Sequence, residues 1–279
     1  QVMMQTFGNP SSIHKFGQES HSVIERARLQ LATALNCEPG EIIFTGSGSE
    51  SNNLVLQGVL NSGDHIITST YEHPAILNVV EALQAKGIQA TFINPNKNGV
   101  VDCTEVVSAI QPNTKLISIM AVNNELGTIN PIAKLGEIAK ESNILFHTDA
   151  VQMFGKLPMD LSDIHIDFLS MSAHKLYGPK GVGALYLRRG NLLPAILYGG
   201  GQENDLRPGT ENIPGIAGFG LAAELATEHI ATNIENILEL EKQFLSLLAD
   251  NNIEFTRHCN SHIPGLMNIS FHDVNSKPL

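Results

Sequence analysis

The chain has 279 residues, a length that suits one large domain, or one large and one small domain, with a substantial core. Hydrophobic residues make up 42% and charged residues 16%, as in an ordinary globular protein. The net charge of −11 disfavours nucleic acid as a partner, and no apolar run approaches the length of a membrane span. Three cysteines are too few for a disulfide framework, so we expect a reducing, cytoplasmic setting.

Both ends of the sequence read as if they lie inside a longer chain. The start, QVMMQTFGNPSS, shows neither a signal peptide nor an initiating Met. The end, ISFHDVNSKPL, stops just after a strand-like run. We therefore expect further residues on both sides.

Short apolar runs alternate with helical stretches over most of the chain. Several runs are rich in Ile, Val and Leu with little alternation, which is typical of strands buried on both faces. The predicted strands are residues 41–45, 65–69, 90–93, 116–122, 144–148, 167–171 and 183–187. The predicted helices are residues 19–36, 50–60, 74–86, 104–110 and 132–142. This alternation predicts an α/β domain with a mostly parallel, seven-stranded sheet between helices.

The pattern changes after about Gly209. Residues 214–228 and 233–251 read as long helices, and one late strand follows at 267–271. We place a domain boundary near Thr227. Residues 1–226 would form a large, ligand-binding domain, and residues 227–279 the start of an incomplete small α+β domain.

Polar residues follow several of the predicted strands, where ligands bind in sheets of this kind. The segment TGSGSES follows strand 41–45 and leads into a helix. Its free backbone N–H groups and the positive helix end suit an anion such as phosphate, and Ser47 and Ser49 add hydroxyl groups. A plain turn with a serine helix cap is the alternative.

Asp149 follows strand 144–148 in the segment HTDAVQ. An acidic residue at the end of a buried strand is costly unless it is paired. The ring nitrogen of pyridoxal 5′-phosphate (PLP) would be a suitable partner, because a carboxylate there keeps the nitrogen protonated and the ring electron-poor. Gln152 could donate to the phenolic oxygen of the same ring. A simple capping role for Asp149 is the alternative.

Lys175 follows strand 167–171 in the segment SAHKLYGPKG. A lysine in a desolvated pocket loses its proton more readily and can bond to an aldehyde. Ser172 and His174 are placed to hold a phosphate. Lys180 is the competing lysine, but it lies in the turn, where we expect it to be exposed.

Three further segments carry polar side chains. His73, in EHPA, could stack on an aromatic ring or serve as a structural residue. Asn123, Asn124 and Glu125, in AVNNELG, lie at another strand end, where the amides could bond a phenolic oxygen or a carboxylate. The loop YGGGQENDLRPGTEN joins a glycine triplet to Arg207 and Thr210, which suggests a close approach to a phosphate or a neighbouring subunit.

The order and spelling of these segments closely resemble the cysteine desulfurases of the NifS/IscS type, a branch of the class V aminotransferase-fold PLP enzymes. The agreement runs from about Phe7 to Gly218 without a major break, which makes it more specific than any short motif. The matching segments are FGNPSSIHKFG, GSGSESNN, YEHPAIL, VNNELGTINPI, HTDAVQMFGKLPMDL, MSAHKLYGPKGVGALYLR and GGGQENDLRPGTENIPGIAG.

The resemblance implies an aminotransferase type I-like fold with PLP as cofactor and a role for each matching residue. Lys175 would bond the cofactor, His73 would stack on the ring, and both would act in catalysis. The other implied contacts are Asp149 at the pyridine nitrogen, Asn124 and Gln152 near the phenolic oxygen, Gly48, Ser49, Ser172 and His174 at the phosphate, and Thr210 of the partner subunit in a homodimer. Ser49 stands where the family more often has Thr, which keeps the hydroxyl.

The sequence departs from the family pattern in its cysteines. The family's nucleophilic cysteine lies on a Ser/Gly-rich loop, and we expect that loop, with the arginine that binds the substrate carboxylate, after residue 279. Cys37, Cys103 and Cys259 do not match it. His258 and His262 flank Cys259 at a spacing seen in metal sites, but no fourth ligand accompanies them, so we expect no metal.

The resemblance implies conversion of L-cysteine to L-alanine. The sulfur would pass to the protein as a persulfide and on to an acceptor or scaffold protein, for iron–sulfur cluster assembly or other thiolation. Without the nucleophilic loop, we expect this chain by itself to bind PLP at best. Two alternatives remain: a related PLP lyase or aminotransferase of the same fold, and a catalytically silent fragment that keeps the fold as a binding scaffold.

Overall fold

The computed structural model describes residues 1–259, 262–272 and 274. Its central element is a seven-stranded sheet in the order β1-β7-β6-β5-β4-β2-β3. The strands are β1 (Ile42–Thr45), β2 (His65–Ser69), β3 (Gln89–Ile93), β4 (Thr114–Ser118), β5 (Leu145–Asp149), β6 (Phe168–Ser172) and β7 (Gly183–Leu187). Only β7 runs against its two neighbours, β1 and β6. The other six strands point the same way, so their carboxyl ends meet at one edge of the sheet.

Helices cover both faces of this sheet. They are α1 (Val2–Gln5), α2 (Lys15–Leu35), α3 (Gly48–Val59), α4 (Pro74–Gln84), α5 (Cys103–Ser108), α6 (Ile132–Glu141) and α7 (Ile213–Glu228). Helix α8 (Ile230–Asp250) follows α7. Successive strand residues point to opposite faces. In β2, for example, Ile67 packs in the cluster formed with α2, α6 and α7, whereas Ile66 packs in the cluster formed with α3 and α4. The predicted mostly parallel sheet between helices is confirmed.

All seven predicted strands of the large sheet are present, and the largest difference in bounds is at the fourth strand. The predicted strand 116–122 is β4, which ends at Ser118. On the side that faces β2, the Met120 N–H donates to the buried Glu72 carboxylate at 3.0 Å. The Glu72 side chain therefore accepts the hydrogen bond that a β2 carbonyl group would otherwise accept. The pairing of β4 with β2 stops at Ser118.

The predicted helices are all present with some different ends, and the short helix α1 was not predicted. The predicted helix 19–36 begins earlier, at Lys15, because the His14 side chain accepts from the Gly17 N–H and caps it. The predicted helix 233–251 begins at Ile230. Among the described residues, no helix is long and apolar enough to cross a bilayer.

The C-terminal part contains a second, small sheet. The predicted late strand 267–271 is β9 (Asn268–Phe271), and it pairs antiparallel with β8 (Phe255–His258). The sequence pattern did not predict β8, whose four residues FTRH carry no apolar run to mark them. The small domain predicted for 227–279 includes residues 260, 261, 273 and 275–279, which lie outside the described residues, and the boundary near Thr227 stays a prediction.

Candidate active site

A cavity of about 230 Å³ lies at the edge where the carboxyl ends of the strands meet. All of the predicted cofactor contacts except Thr210 line it. The lining residues are Ser47, Gly48, Ser49, Asn52, His73, Ala75, Met120, Asn124, Asp149, Val151, Gln152, Ser172, His174 and Lys175. The topology explains this convergence, because the segments come directly after β1, β2, β4, β5 and β6.

One end of the cavity is built to receive an anion. Helix α3 begins at Gly48, and Ser47 caps it by accepting from the Glu50 N–H at 3.1 Å. The N–H groups of Gly48 and Ser49 have no protein acceptor within the described part of the chain. Gly183 of β7 packs against this turn so closely that a Cβ there would lie 2.5 Å from the Ser47 carbonyl carbon. Ser47 thus acts as a helix cap, which was the alternative interpretation of this segment. The N–H groups of Gly48 and Ser49 remain free for a phosphate.

Ser172 and His174 lie beside this turn, at the end of β6. The Ser172 hydroxyl and His174 Nδ1 are 2.9 Å apart and share a hydrogen bond. Burial, followed by the charges of Lys175 and Lys180, lowers the pKa of His174. A neutral imidazole and a hydroxyl group can both donate to phosphate oxygens.

Asp149 forms the last residue of β5 and is only 6% exposed. Its carboxylate accepts from the Asn52 amide at 2.7 Å and from the Val151 N–H at 3.0 Å. Burial raises the pKa of Asp149, and these two hydrogen bonds counteract the rise. A cationic N–H placed against the carboxylate would offset the remaining desolvation cost, so the site suits a protonated pyridine nitrogen.

The two candidate lysines differ in position. Lys175 lies in the short 3₁₀ helix Ala173–Leu176 that follows β6, and it lines the cavity. Lys180 is exposed and lies outside the cavity. Lys180 is thus exposed as expected, and the role of Lys175 toward an aldehyde stays a prediction.

His73 and Asn124 complete the predicted set. His73 caps α4, since its Nδ1 accepts from the Ala75 N–H at 3.1 Å, which leaves the proton on Nε2. His73 also lines the cavity, so it can cap α4 and contact a bound ligand at the same time. The neighbouring Asn123 turns away, with its amide donating to the Tyr71 carbonyl oxygen at 2.9 Å.

Two polar residues at this site were not predicted from the sequence. Asn52 lies three residues after Ser49, a spacing that puts both on one face of α3 and could have revealed it. Glu72 precedes His73 and is 4% exposed, and its carboxylate accepts from the Ser69 hydroxyl at 2.5 Å and from Met120. Burial raises the pKa of Glu72 to about 8. No sequence pattern indicates that this glutamate is buried.

None of the three cysteines is among the described residues that line the cavity. Burial raises the pKa of Cys37 to about 12 and also raises the pKa of Cys103, which disfavours their thiolates. Near Cys259, the His258 ring bonds the Ser270 hydroxyl and the His262 ring contacts the Glu241 carboxylate. Within the described ranges, no group of three or more candidate metal ligands comes together.

The whole chain, residues 1–279, matches the aminotransferase class-V family. It is 43% identical over 283 residues to the cysteine desulfurase IscS of Dictyoglomus turgidum, an alignment that covers 99% of this chain and 72% of that protein. It is likewise 43% identical to the mitosomal cysteine desulfurase of Encephalitozoon cuniculi, over 98% of this chain and 66% of that protein.

Solved structures give the same result. A NifS-like protein superposes with a TM-score of 0.94 at 36% identity, over 98% of this chain and 76% of that one. A structure described as SspA in complex with cysteine has a TM-score of 0.87 at 39% identity, over 97% of this chain and 78% of that one.

Fold and cavity define an enzyme of a PLP-dependent class, and the chain belongs to the class V aminotransferase family. Within that family it groups with the cysteine desulfurases of the NifS/IscS type. The residues present fit PLP, because an anion-binding turn, an acidic group and a lysine surround one cavity. The amide oxygen of Asn52 is buried there without a hydrogen-bond partner among the described residues, which leaves an acceptor for a bound molecule.

Proposed function

We propose that this protein converts L-cysteine to L-alanine and passes the sulfur to a thiol acceptor, with PLP held in the cavity described above. The observation that carries the proposal is that Lys175, Asp149 and the Gly48–Ser49 turn line one cavity. The similarity to relatives named as cysteine desulfurases, and to a structure described as a complex with cysteine, supports cysteine as the substrate.

When bound, PLP supplies an electron-poor ring that stabilises negative charge at the α-carbon of an amino acid. The protein's own groups prepare that chemistry. With PLP bound, Asp149 would keep a proton on the ring nitrogen and thereby keep the ring electron-poor. His73 would stack on the ring, and the Lys175 amine would take up the proton from the α-carbon. The free N–H groups of Gly48 and Ser49 would hold the phosphate.

The sulfur step needs a thiolate. It attacks the sulfur of the bound cysteine, a new S–S bond forms, and the carbon–sulfur bond breaks with its electron pair left on carbon. Protonation of that carbon gives alanine, and the acceptor becomes a persulfide. Cys37 and Cys103 are unsuited to this role because burial disfavours their thiolates. Cys259 is not among the described residues that line the cavity. We propose that the acceptor is a cysteine outside residues 1–279, and that iron–sulfur cluster assembly or another thiolation uses the sulfur.

A homodimer in the cytoplasm is part of the proposal. Thr210 is exposed and lies outside the cavity of its own chain, as expected of a residue that completes a neighbouring site. Two ion pairs hold its loop in place: Glu203 with Arg28 at 2.8 Å, and Arg207 with Glu50 at 2.9 Å. The loop is therefore preorganised to present Thr210 to a second chain.

Mixing two inactive variants tests the dimer. In a mixed dimer of Lys175→Ala and Thr210→Ala chains, one of the two sites retains both the lysine and the threonine, while the other lacks both. We expect tight PLP binding at about half of the sites in the mixed dimers, and at none in either parent. A monomer, or weak binding that mixing leaves unchanged, would contradict this part of the proposal.

A substrate panel tests the reaction. The PLP-loaded chain is mixed with L-cysteine, L-selenocysteine, L-alanine or L-aspartate, with dithiothreitol as an external thiol, and the absorbance of the bound cofactor and the alanine formed are measured. We expect cysteine and selenocysteine to change the absorbance, and we expect alanine from both because dithiothreitol takes the place of the thiol acceptor that this chain by itself lacks. A preference for aspartate would indicate an aminotransferase or lyase, and no response to any amino acid would indicate a silent scaffold.

A further inference from the structure

Lys156 is a second lysine close to Lys175, and the proposed chemistry gives it no role. Its Nζ donates a 2.8 Å hydrogen bond to Oε1 of Gln152. Gln152 and Lys175 line both the cofactor cavity and a neighbouring apolar groove, whereas Lys156 lines only the groove. Lys156 therefore contacts Gln152 from the side of the groove and not from within the cofactor cavity.

The surroundings of Lys156 are energetically unfavourable for a positive charge. Its side chain is half-buried, and no carboxylate in the described part of the chain lies within ion-pair distance. Burial, and after it the positive charge of Lys175, lowers the pKa of Lys156. A methionine or leucine would suit the apolar groove better, so a lysine here calls for a reason.

The hydrogen bond fixes the orientation of the Gln152 amide. A side-chain amide has an acceptor end, the oxygen, and a donor end, the NH₂ group. Either end can face a given direction unless a hydrogen-bond partner fixes the orientation. An ammonium group can only donate, so it binds the oxygen end. The Nε2 end is then free, and it donates to no protein acceptor among the described residues. The unbonded end of the Gln152 amide is thus a donor and not an acceptor.

We propose that Lys156 is a positioning residue, which holds Gln152 with its NH₂ group turned into the cavity to donate to an anionic oxygen of the bound cofactor. The proposal rests on the function proposed above. It concerns the phenolic oxygen of PLP, because the phosphate has its own donors at the Gly48–Ser49 turn. Lys156 itself touches neither cofactor nor substrate.

A double-mutant cycle tests this role. The dissociation constant for PLP and the absorbance maximum of the bound cofactor are measured for the wild type, Lys156→Met, Gln152→Leu and the double variant. We expect Lys156→Met to weaken PLP binding about five-fold and to shift the absorbance maximum, because the free amide can then turn its oxygen inward. In the Gln152→Leu background the same change should have no effect.

Two further variants separate positioning from charge and folding. Lys156→Arg also offers only donors, so it should restore both PLP affinity and absorbance maximum. Lys86→Met removes an exposed lysine and should change neither. If Lys156→Met does not fold, Lys156→Gln, which can present either amide end to Gln152, should show the same weakening.

The outcomes distinguish this inference from the proposed function. If the wild type does not bind PLP, the proposed function fails. If the wild type binds PLP and Lys156→Met and Lys156→Gln bind it equally well with an unshifted absorbance maximum, only the positioning role is overturned. Equal losses from Lys156→Met with and without Gln152 would also overturn it, since Lys156 would then act by another route.

Discussion

The Asn52 amide donates a 2.7 Å hydrogen bond to the Asp149 carboxylate and so ties the first turns of α3 to the end of β5. Helix α3 begins at the turn that would hold the cofactor phosphate, and Asp149 would hold the ring nitrogen. One hydrogen bond thus links the two groups that would hold opposite ends of PLP.

Replacing Asn52 with Leu removes one of the two donors to a buried carboxylate. We expect a loss of about 1–3 kcal/mol in the free energy of unfolding and about ten-fold weaker PLP binding, because Asp149 becomes harder to ionise. Thermal unfolding and a PLP titration measure the two effects. The matched control is Gln57→Leu, which removes an exposed amide from the same helix outside the cavity. Equal PLP affinity for the Asn52 variant and the control would contradict the role given to Asn52.

Glu72 predicts a specific dependence of stability on pH. Burial raises its pKa in the folded protein to about 8, so the folded state binds a proton that the unfolded state has released. The stability that this proton contributes is complete below the unfolded pKa of about 4.5 and is lost as the pH rises through about 8. The neutral variant Glu72→Gln lacks this loss.

We therefore expect the wild type to lose about 1–3 kcal/mol of stability relative to Glu72→Gln between about pH 5.5 and pH 8.5. Tm measured across this range gives the difference. Glu81→Gln removes the same charge from an exposed position of α4 and should run parallel to the wild type. If the curves of wild type and Glu72→Gln are also parallel, Glu72 is not protonated on folding.

Much of the fold could be predicted because its signals are local. The buried strands are apolar runs, and residues such as Ile66, Ile67 and Leu116 mark them without knowledge of their neighbours. The cavity residues could be placed because the carboxyl ends of same-direction strands meet at one edge. That rule already pointed to Asp149 and Lys175.

The features that could not be predicted depend on contacts between distant segments. The early end of β4 results from Glu72, which lies 48 positions before Met120. The hydrogen bond from Asn52 to Asp149 spans 97 positions. The strand β8 was missed because FTRH carries no apolar pattern and is defined only by pairing with β9. Such features follow from packing and have no local signature.

Gly183 predicts a steric requirement at the phosphate turn. A Cβ at this position would lie 2.5 Å from the Ser47 carbonyl carbon and 2.8 Å from the Met171 carbonyl oxygen, and backbone atoms cannot move aside cheaply. We expect Gly183→Ala to cost about 2–3 kcal/mol in stability and to weaken PLP binding. Gly40→Ala, which meets no atom within 4 Å, is the control in thermal unfolding and PLP titration. A Gly183 variant as stable as the control would contradict this packing.

The positions of the three cysteines predict that replacing all of them leaves PLP binding and alanine formation unchanged. None is among the described residues that line the cavity, and two are disfavoured as thiolates by burial. We expect a variant with Cys37→Ala, Cys103→Ala and Cys259→Ser to bind PLP with unchanged affinity and to form as much alanine from cysteine with dithiothreitol as the wild type does. Loss of alanine formation in a folded triple variant would place the sulfur acceptor among these residues.

Lys175 is the residue that we expect to bond the PLP aldehyde, and the proposed function depends on it. The most direct test is to incubate the chain with PLP, reduce it with borohydride and locate the attached pyridoxyl group by peptide mass spectrometry. We predict one modified residue, Lys175, and no stoichiometric label in Lys175→Ala. A label on Lys156 or Lys180 in the wild type, or no label at all, would contradict the assignment.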